Sequence, residues 1–384
     1  MKKHLCATSE CTGCLACLNV CPKHAIGVTE GFLGEILPAI DENKCVDCGL
    51  CDKICPSLNP LPMHSPMDCY ATWTKNEADY VSATSGGIAT AISKSVISKG
   101  GIVYGCAAHG LQVKHMRCAT MEDVEKLKGS KYVQSEMRDV YQALKKDVLE
   151  GLTVLFIGTP CQVAGVRNYL RKEYSNLLTV DLICHGVPSQ QSLHASLCHA
   201  IRDIDPANVI YLSFRNHAKG DFCLECRGFK KDGKPFIFER GIDYFNSYYP
   251  TFFFGNSYRN SCYQCRYAYR QRISDISIGD FWGLKDEKVR READNGISVV
   301  LVNTDKGAAF YTSMQANVHS HQQPIEDAIA GNAQLNAPTR RTKRTRCFRF
   351  LARYYSFETA FRITWMDRVL KSRMKYYIKK IIKK

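Results

Sequence analysis

Between residues 67 and 305 the chain repeats one pattern. A short apolar run ends in a glycine or polar break, and apolar residues at three- and four-residue spacing follow. Asp68 to Thr74 alternates as a half-buried strand does. Thr84-Ser85-Gly86-Gly87 then leads into a helix predicted over Ile88 to Ser98. Gly101 to Cys106 reads as a buried strand, residues 121–127 as a short helix and 136–149 as a longer one. Thr153 to Ile157 is the clearest buried strand; it ends at Gly158-Thr159-Pro160-Cys161-Gln162, with a helix expected from Val163 to Lys172. Leu178 to Ile183 is another strand, ending at Cys184-His185-Gly186. Strands alternating with helices predict an α/β body with a partly parallel sheet. Sites in such bodies gather in the loops at the carboxyl ends of the strands. From Val209 to Phe238 the pattern turns antiparallel, with a hairpin turn at 231–234. Asp275 to Gly283 alternates and ends in a glycine turn, and Gly296 to Val302 is one more buried strand.

The first 58 residues follow no such pattern and are organised by cysteine. Cys11-x2-Cys14-x2-Cys17-x3-Cys21-Pro22 is repeated as Cys45-x2-Cys48-x2-Cys51-x3-Cys55-Pro56. This is the duplicated ligand run of a bacterial-type ferredoxin with two [4Fe-4S] clusters, in which the fourth cysteine of each run ligates the other cluster. One cluster is assigned to Cys11, Cys14, Cys17 and Cys55, the other to Cys45, Cys48, Cys51 and Cys21. Identical spacing and both prolines set aside a zinc or disulfide framework.

Composition narrows the class. The chain has 384 residues, 45% hydrophobic and 23% charged, which is ordinary for a globular protein of two or three domains. Twenty cysteines at cluster spacing indicate a reducing compartment. The N-terminus lacks the apolar run of a signal peptide, and no stretch reaches membrane-spanning length, so a cytoplasmic location is expected.

Net charge is +15, but it is not spread evenly. Thr339 to Lys384 holds 16 Lys and Arg against Glu358 and Asp367, so the rest of the chain is nearly neutral. That argues against a nucleic-acid-binding body and for a local electrostatic contact by the tail. Phe348, Phe350, Trp365 and Ile378 recur among these basic residues at helical spacing. Two readings stand: an amphipathic segment at the inner membrane face, or a helix docked on the body with solvated lysines.

A second cysteine set lies in the α/β body. Cys161 and Cys184 sit at strand ends, and Cys262-x2-Cys265 in an aromatic-rich stretch. These four would make a third four-thiolate site. Cys223-x2-Cys226 competes, because with Cys262 and Cys265 it reads equally well as a zinc ribbon. Cys6, Cys69, Cys106, Cys118, Cys198 and Cys347 are read as structural or free thiols.

Thr84-Ser85-Gly86-Gly87, Gly129 to Ser135, Gly158 to Gln162, Cys184-His185-Gly186, Cys262 to Cys265 and Asp275 to Gly283, in this order, resemble the landmarks of the family of coenzyme F420 hydrogenase/dehydrogenase beta subunits, whose members carry flavin and iron–sulfur clusters. The resemblance implies a third [4Fe-4S] cluster on Cys161, Cys184, Cys262 and Cys265, and leaves Cys223 and Cys226 without a role. It also implies FAD. Ser85-Gly86-Gly87 before a helix offers an anion-binding N-terminus, and Lys131 can neutralise phosphate or a reduced flavin. Thr84, Tyr132, Gln134, Ser135, Gly158, Thr159, Pro160 and Gln162 complete the candidate cofactor loops. His185 and Asp280 are the candidate catalytic residues. No GxGxxG fingerprint supports a nicotinamide.

The expected architecture is an α+β ferredoxin module (1–58), a linker (59–66), a mixed α/β flavin-binding body (67–335) and a basic helical tail (336–384). The expected activity is an FAD- and iron–sulfur-dependent oxidoreductase. Electrons would come from ferredoxin or a similar donor and pass to a small organic acceptor, either a sugar or polysaccharide precursor or F420. The alternative is an electron-transfer subunit that serves a partner enzyme.

Overall fold

The computed structural model describes residues 5–201, 204–216 and 221–382, with the side chains of all but Lys379, Ile381 and Ile382. Positions 1–4 of the cysteine-rich module and 383–384 of the tail lie outside the described residues.

The module consists of α1 (Ala16–Val20), an antiparallel pair β1 (Ile26–Glu30) and β2 (Ile36–Ile40), and α2 (Leu50–Lys53). The body opens with β3 (Asp68–Thr74), α3 (Glu77–Val81), α4 (Ile88–Ile97), β4 (Ile102–His109), β5 (Gln112–Cys118), α5 (Met121–Leu127) and α6 (Val140–Leu149). It continues with β6 (Val154–Gly158), α7 (Pro160–Leu170), β7 (Leu177–Leu182) and α8 (Gln190–Ala200). Next come β8 (Val209–Ser213), β9 (Leu224–Phe229), β10 (Pro235–Arg240) and α9 (Tyr248–Phe253). The body closes with β11 (Ile276–Asp280), α10 (Glu287–Glu292), β12 (Ser298–Val302), α11 (Asp305–Met314), β13 (Val318–Gln322) and α12 (Ile325–Gly331). The tail forms α13 (Lys343–Leu351), α14 (Phe357–Thr364) and α15 (Met366–Ile382).

The main sheet has eight strands in the order β13-β3-β12-β11-β7-β6-β4-β5. β4, β6, β7 and β11 are parallel neighbours, and the flanking pairs are antiparallel. The carboxyl ends of β3, β6, β7 and β11 and the start of β12 therefore share one edge. β8, β9 and β10 form a separate antiparallel sheet.

Alternation along the strands divides the core. Val103, Leu155, Leu178 and Val180 face α4 and α11, packing with Ile92, Val96, Tyr311 and Met314. Tyr104, Val154 and Phe156 face α6 and α7 with Tyr141, Leu144 and Val166. That second cluster also holds Leu5, Cys14, Ala16, Ile26 and Ile54, so the cysteine-rich module shares its core with the body.

Two boundaries differ from the sequence reading. The helix expected at Glu136 starts at Val140, because the Glu136 N–H donates to the Val113 carbonyl and its carbonyl accepts from His115 N–H along the edge of β5. The helix expected at Val163 starts at Pro160, where Thr159 and Gln162 form a capping box. Cys161 thus sits in the first turn of α7.

The tail is largely docked. Phe348, Phe357, Phe361 and Trp365 are buried with Leu33 of the module, and the Trp365 indole donates to Asn256 Oδ1 at 3.0 Å. Phe348 and Trp365 are therefore core residues, which corrects the reading that sent them into a lipid interface. Phe350 and Ile378 remain exposed.

Candidate functional site

Cys11, Cys14, Cys17 and Cys55 line one cavity, and Cys21, Cys45, Cys48 and Cys51 line another. Each cavity takes three thiols from one run and the proline-flanked cysteine of the other. The local cause is a repeated backbone twist. Gly13 and Leu15 have positive φ (66° and 63°), as do their counterparts Asp47 and Gly49 (50° and 68°). A left-handed residue before each following cysteine turns three successive thiols to one side. Leu15 accepts a conformation that costs a non-glycine residue about 1–2 kcal/mol, and its side chain is buried.

The first cavity holds a fifth thiol that the sequence reading set aside. Cys6 lies within hydrogen-bond reach of Cys11 and Cys55 and holds both thiols down at about 6. Burial pushes Cys14 up to about 12.

The body brings Cys161, Cys184, Cys262 and Cys265 together. Each is half-buried, and burial pushes Cys161 up to about 11 and Cys262 to about 12. Cys184 is raised by burial and then by the charges of Cys262, Cys161 and Cys265. Three different chain segments converge here, each for its own reason. Thr159 caps α7 and places Cys161. β7 delivers Cys184. Arg272 pins the Cys262–Cys265 loop: it is buried, its Nη2 meets Asp181 Oδ1 of β7 at 2.6 Å, and it donates to Ser277 Oγ and the Tyr267 carbonyl.

Cys223 and Cys226 are buried elsewhere. Cys226 packs with Leu212, Phe236 and Tyr248 beneath the three-stranded sheet, so the two do not join Cys262 and Cys265. This removes the zinc-ribbon alternative. Among the described residues no three His, Cys, Asp or Glu close on a single-ion site. A four-iron cubane holds its thiols farther apart than one ion does.

The third thiol group abuts the first cavity through α7. A Cβ at Gly165 would stand 3.1 Å from Cys14 Sγ, so that helix packs directly on Cys14. Cys161 lies one turn earlier, roughly 6 Å along the axis. Tyr141 fills the seam and donates to the Cys14 carbonyl at 2.5 Å. The Cys262–Cys265 loop grips the module as well: Gln264 donates to the Ser9 carbonyl, and Arg266 to those of Pro56 and Ser57. Even the expected linker is tied in, since His64 and Arg272 exchange two backbone hydrogen bonds.

The candidate flavin loops lie along the shared carboxyl edge. Thr84 Oγ1 meets Ser130 Oγ at 3.0 Å, joining the first two loops. Gly87, with φ 74°, starts α4 without a side-chain cap, which leaves its first N–H groups open. Gly86 is required by packing, because a Cβ there would overlap the Thr72 carbonyl. Lys131 is half-buried, its pKa lowered by burial, and its Nζ donates to the carbonyls of Leu127 and Lys128. Tyr132 stacks on Phe252.

Gln134 and Ser135 hydrogen-bond within the protein. Gln134 Nε2 donates to the carbonyls of Thr12 and Gly13 in the module. Ser135 belongs to a buried chain of hydrogen bonds with one consistent proton order. Gln162 Nε2 donates to Ser135 Oγ, Ser135 to His115 Nδ1, and His115 Nε2 to the Ile157 carbonyl. Gln162 Oε1 accepts from Thr159 N and Oγ1, and Thr159 Oγ1 lies 3.2 Å from Cys161 Sγ.

Of the two catalytic candidates, Asp280 is engaged: Arg215, itself buried, donates to its Oδ2 at 2.6 Å. That makes Asp280 a paired carboxylate rather than a free acid. His185 keeps an exposed surface beside Gly186, yet desolvation by the surrounding loops lowers its pKa, and Asp280 opposes the shift. Cys6, Arg215, Arg259 and Arg272 were not singled out from the sequence. For the arginines the available signal was position: Arg259 and Arg272 bracket the C-x2-C loop.

Two ferredoxin-type cavities and a third thiol group one helical turn away define an iron–sulfur electron-transfer protein. Residues 10–59 match the 4Fe-4S dicluster domain, and residues 151–328 match the C terminus of the beta subunit of coenzyme F420 hydrogenase/dehydrogenase. Residues 151–328 thus carry the C-terminal module of those beta subunits, and residues 10–59 a dicluster ferredoxin domain. It is 24% identical over 381 residues to an F(420)H(2) dehydrogenase subunit of Methanosarcina mazei, covering 92% of this chain and 95% of that protein. Over 55 residues it is 42% identical to Ferredoxin-2 of Chlorobaculum tepidum, which covers 13% of this chain and 81% of that one. A xenon-derivatised structure of the F420-reducing [NiFe] hydrogenase complex from Methanosarcina barkeri aligns at 20% identity with a TM-score of 0.46, over 69% of this chain and 84% of that one.

Proposed function

We propose that this protein is an iron–sulfur flavoprotein oxidoreductase. It takes electrons at the exposed ferredoxin cavity and passes them inward, to Cys11/Cys14/Cys17/Cys55, to Cys161/Cys184/Cys262/Cys265, and on to FAD at the carboxyl edge of the large sheet. The observation that carries this reading is α7, which has Cys161 in its first turn and packs against Cys14 one turn later. The open N–H groups of α4, the Thr84–Ser130 contact and Lys131 are the parts that fit a flavin. Bound FAD would supply the hydride-transfer chemistry. The residues themselves bind and orient: Thr84, Ser85 and Gly87 offer donors to phosphate, Lys131 a positive charge, and Thr159 a hydroxyl between the loops and Cys161. His185 is the exposed group able to move a proton at the acceptor, a small organic molecule such as a sugar precursor or F420. Anaerobic protein mixed with reduced ferredoxin should bleach both cluster and flavin absorption, and then reoxidise on addition of the acceptor. Cluster-loaded protein that contains no flavin and takes up no added FAD overturns the flavin step.

The second reading is a subunit that hands electrons to a partner enzyme. It rests on the relative named as a dehydrogenase subunit, which matches over nearly its full length. Ile210, Phe229 and Ile237 on the small sheet are exposed and would suit such a partner.

The segment suited to a membrane contact is α15. Met366, Leu370, Met374 and Tyr377 form an exposed stripe there, with Arg373 and Lys380 on one flank and Lys371 and Lys375 on the other. Among the described residues no helix is long and apolar enough to cross a membrane.

A further inference from the structure

Arg259 is the largest fully buried side chain in a place where charge has no obvious partner; it is 2% exposed. Its partners are neutral. Nη1 donates to Gln134 Oε1 at 2.8 Å, and Nη2 to the carbonyls of Ile36 at 2.9 Å and Cys11 at 3.2 Å. Nη2 also stands 3.9 Å from Cys11 Sγ. Nε is buried without a partner. A guanidinium does not shed its proton, and a buried charge persists only where an opposite charge compensates it.

Thiols are the ionisable groups within its reach. Nη2 faces Cys11 Sγ of the first cavity, while the backbone of Arg259 joins the third group: its N–H donates to the Val187 carbonyl, three residues after Cys184, and its carbonyl accepts from Cys262 N–H. None of its hydrogen-bond partners lines the second cavity. The seat is built for it. Gln134 fixes Nη1 and is itself anchored on the carbonyls of Thr12 and Gly13. A Cβ at Gly13 would stand 2.7 Å from the guanidinium carbon. Glycine is therefore required at residue 13 by the approach of Arg259 as well as by its positive φ.

We propose that Arg259 is the shared counter-charge of the clusters held at the first ferredoxin cavity and at Cys161/Cys184/Cys262/Cys265. This inference rests on the third-cluster reading and assigns its energetics. A cubane ligated by four thiolates is negatively charged and becomes more so on accepting an electron. A fixed positive charge between two such clusters favours the reduced state of both and raises both midpoint potentials. The second cavity lacks this help, so an electron entering there runs inward. Arg259 is thus a positioning residue that acts on potential and does not touch the acceptor.

The test is an anaerobic redox titration of the full-length, cluster-loaded protein, followed by electron paramagnetic resonance, with iron counted in each sample. In Arg259→Gln the midpoints of the first-cavity and third clusters should move negative while the second-cavity cluster stays put. Gln134→Glu keeps the arginine but sets a carboxylate against Nη1, and should shift the same two midpoints in the same direction. Arg259→Lys should restore part of the loss. If Arg259→Gln fails to load clusters, the Gln134→Glu titration decides alone. Full iron with unmoved midpoints in the variants overturns the role of Arg259 and leaves the third site standing. Wild-type protein with iron for only two cubanes overturns the third site itself, and the bridge with it.

Discussion

His115 shows how one side chain ties stability to pH. It is buried, stacked on Phe156, and bonded through both ring nitrogens. Burial lowers its pKa from 6.5 to about 4. A histidine with a depressed folded pKa stabilises the fold above its unfolded value, where both states are neutral. That stability is lost as pH falls through 6.5 towards 4, because only the unfolded chain takes up the proton. The shift corresponds to roughly 3 kcal/mol. Denaturant titrations of cluster-loaded protein at pH 7.5 and 5 should show a loss of about 2 kcal/mol, the part of the shift expressed above pH 5, and His115→Gln should flatten the dependence; an unchanged slope would remove His115 from the account. Cys6 offers a second check at this scale. Its hydrogen bonds reach two of the first-cavity thiols, so Cys6→Ala should shift the midpoint of that cluster and leave iron content unchanged. Neither residue was legible beforehand. A histidine in a strand and a cysteine outside the C-x2-C pattern carry no spacing signal, and their roles come from long-range packing.

Among the elements, the chain leaving the Cys262–Cys265 loop is held to β7 by a buried ion pair, Arg272 with Asp181. Arg272→Met would leave Asp181 buried and uncompensated, which costs about 3–5 kcal/mol. The expected result is a lower denaturation midpoint together with loss of the third cluster before the ferredoxin pair. Equal retention of all clusters would show that the loop is held by other means. The tail divides at Trp365. A chain ending at Pro338 would strip the cover from Leu33 and from Trp365's partner Asn256, and should be poorly soluble. A chain ending at Trp365 should keep its clusters and lose only the binding of anionic vesicles, since each basic residue near such a surface contributes about 1 kcal/mol. Vesicle binding that survives this second truncation would remove α15 from the contact. The sequence showed the basic, apolar-striped character of the tail, but could not show which stripe was already covered: α13 and α14 spend theirs on the body, whereas α15 buries Val369 there and leaves Met366, Leu370, Met374 and Tyr377 exposed. Similarly, the Thr159 cap moved the start of α7 forward, and this is what carries Cys161 to within a turn of Cys14.

At the scale of the whole molecule, cysteine spacing and strand–helix alternation made the two-cluster module, the partly parallel sheet and the carboxyl-edge loops readable. The joint between them was not. Residues 59–66 read as a linker because of their prolines, yet His64 pairs with Arg272, and Ile26 and Ile54 share a core with Tyr141 and Val166. That shared core joins the two modules along which the proposed electron path runs. The most direct test of the path is the iron count of anaerobically prepared protein. Wild type should hold about twelve irons in three cubanes. Cys161→Ser should fall to about eight with the ferredoxin pair intact, and Cys223→Ser should stay near twelve. About eight irons in wild type, or loss of a cubane on changing Cys223 and not Cys161, would contradict it.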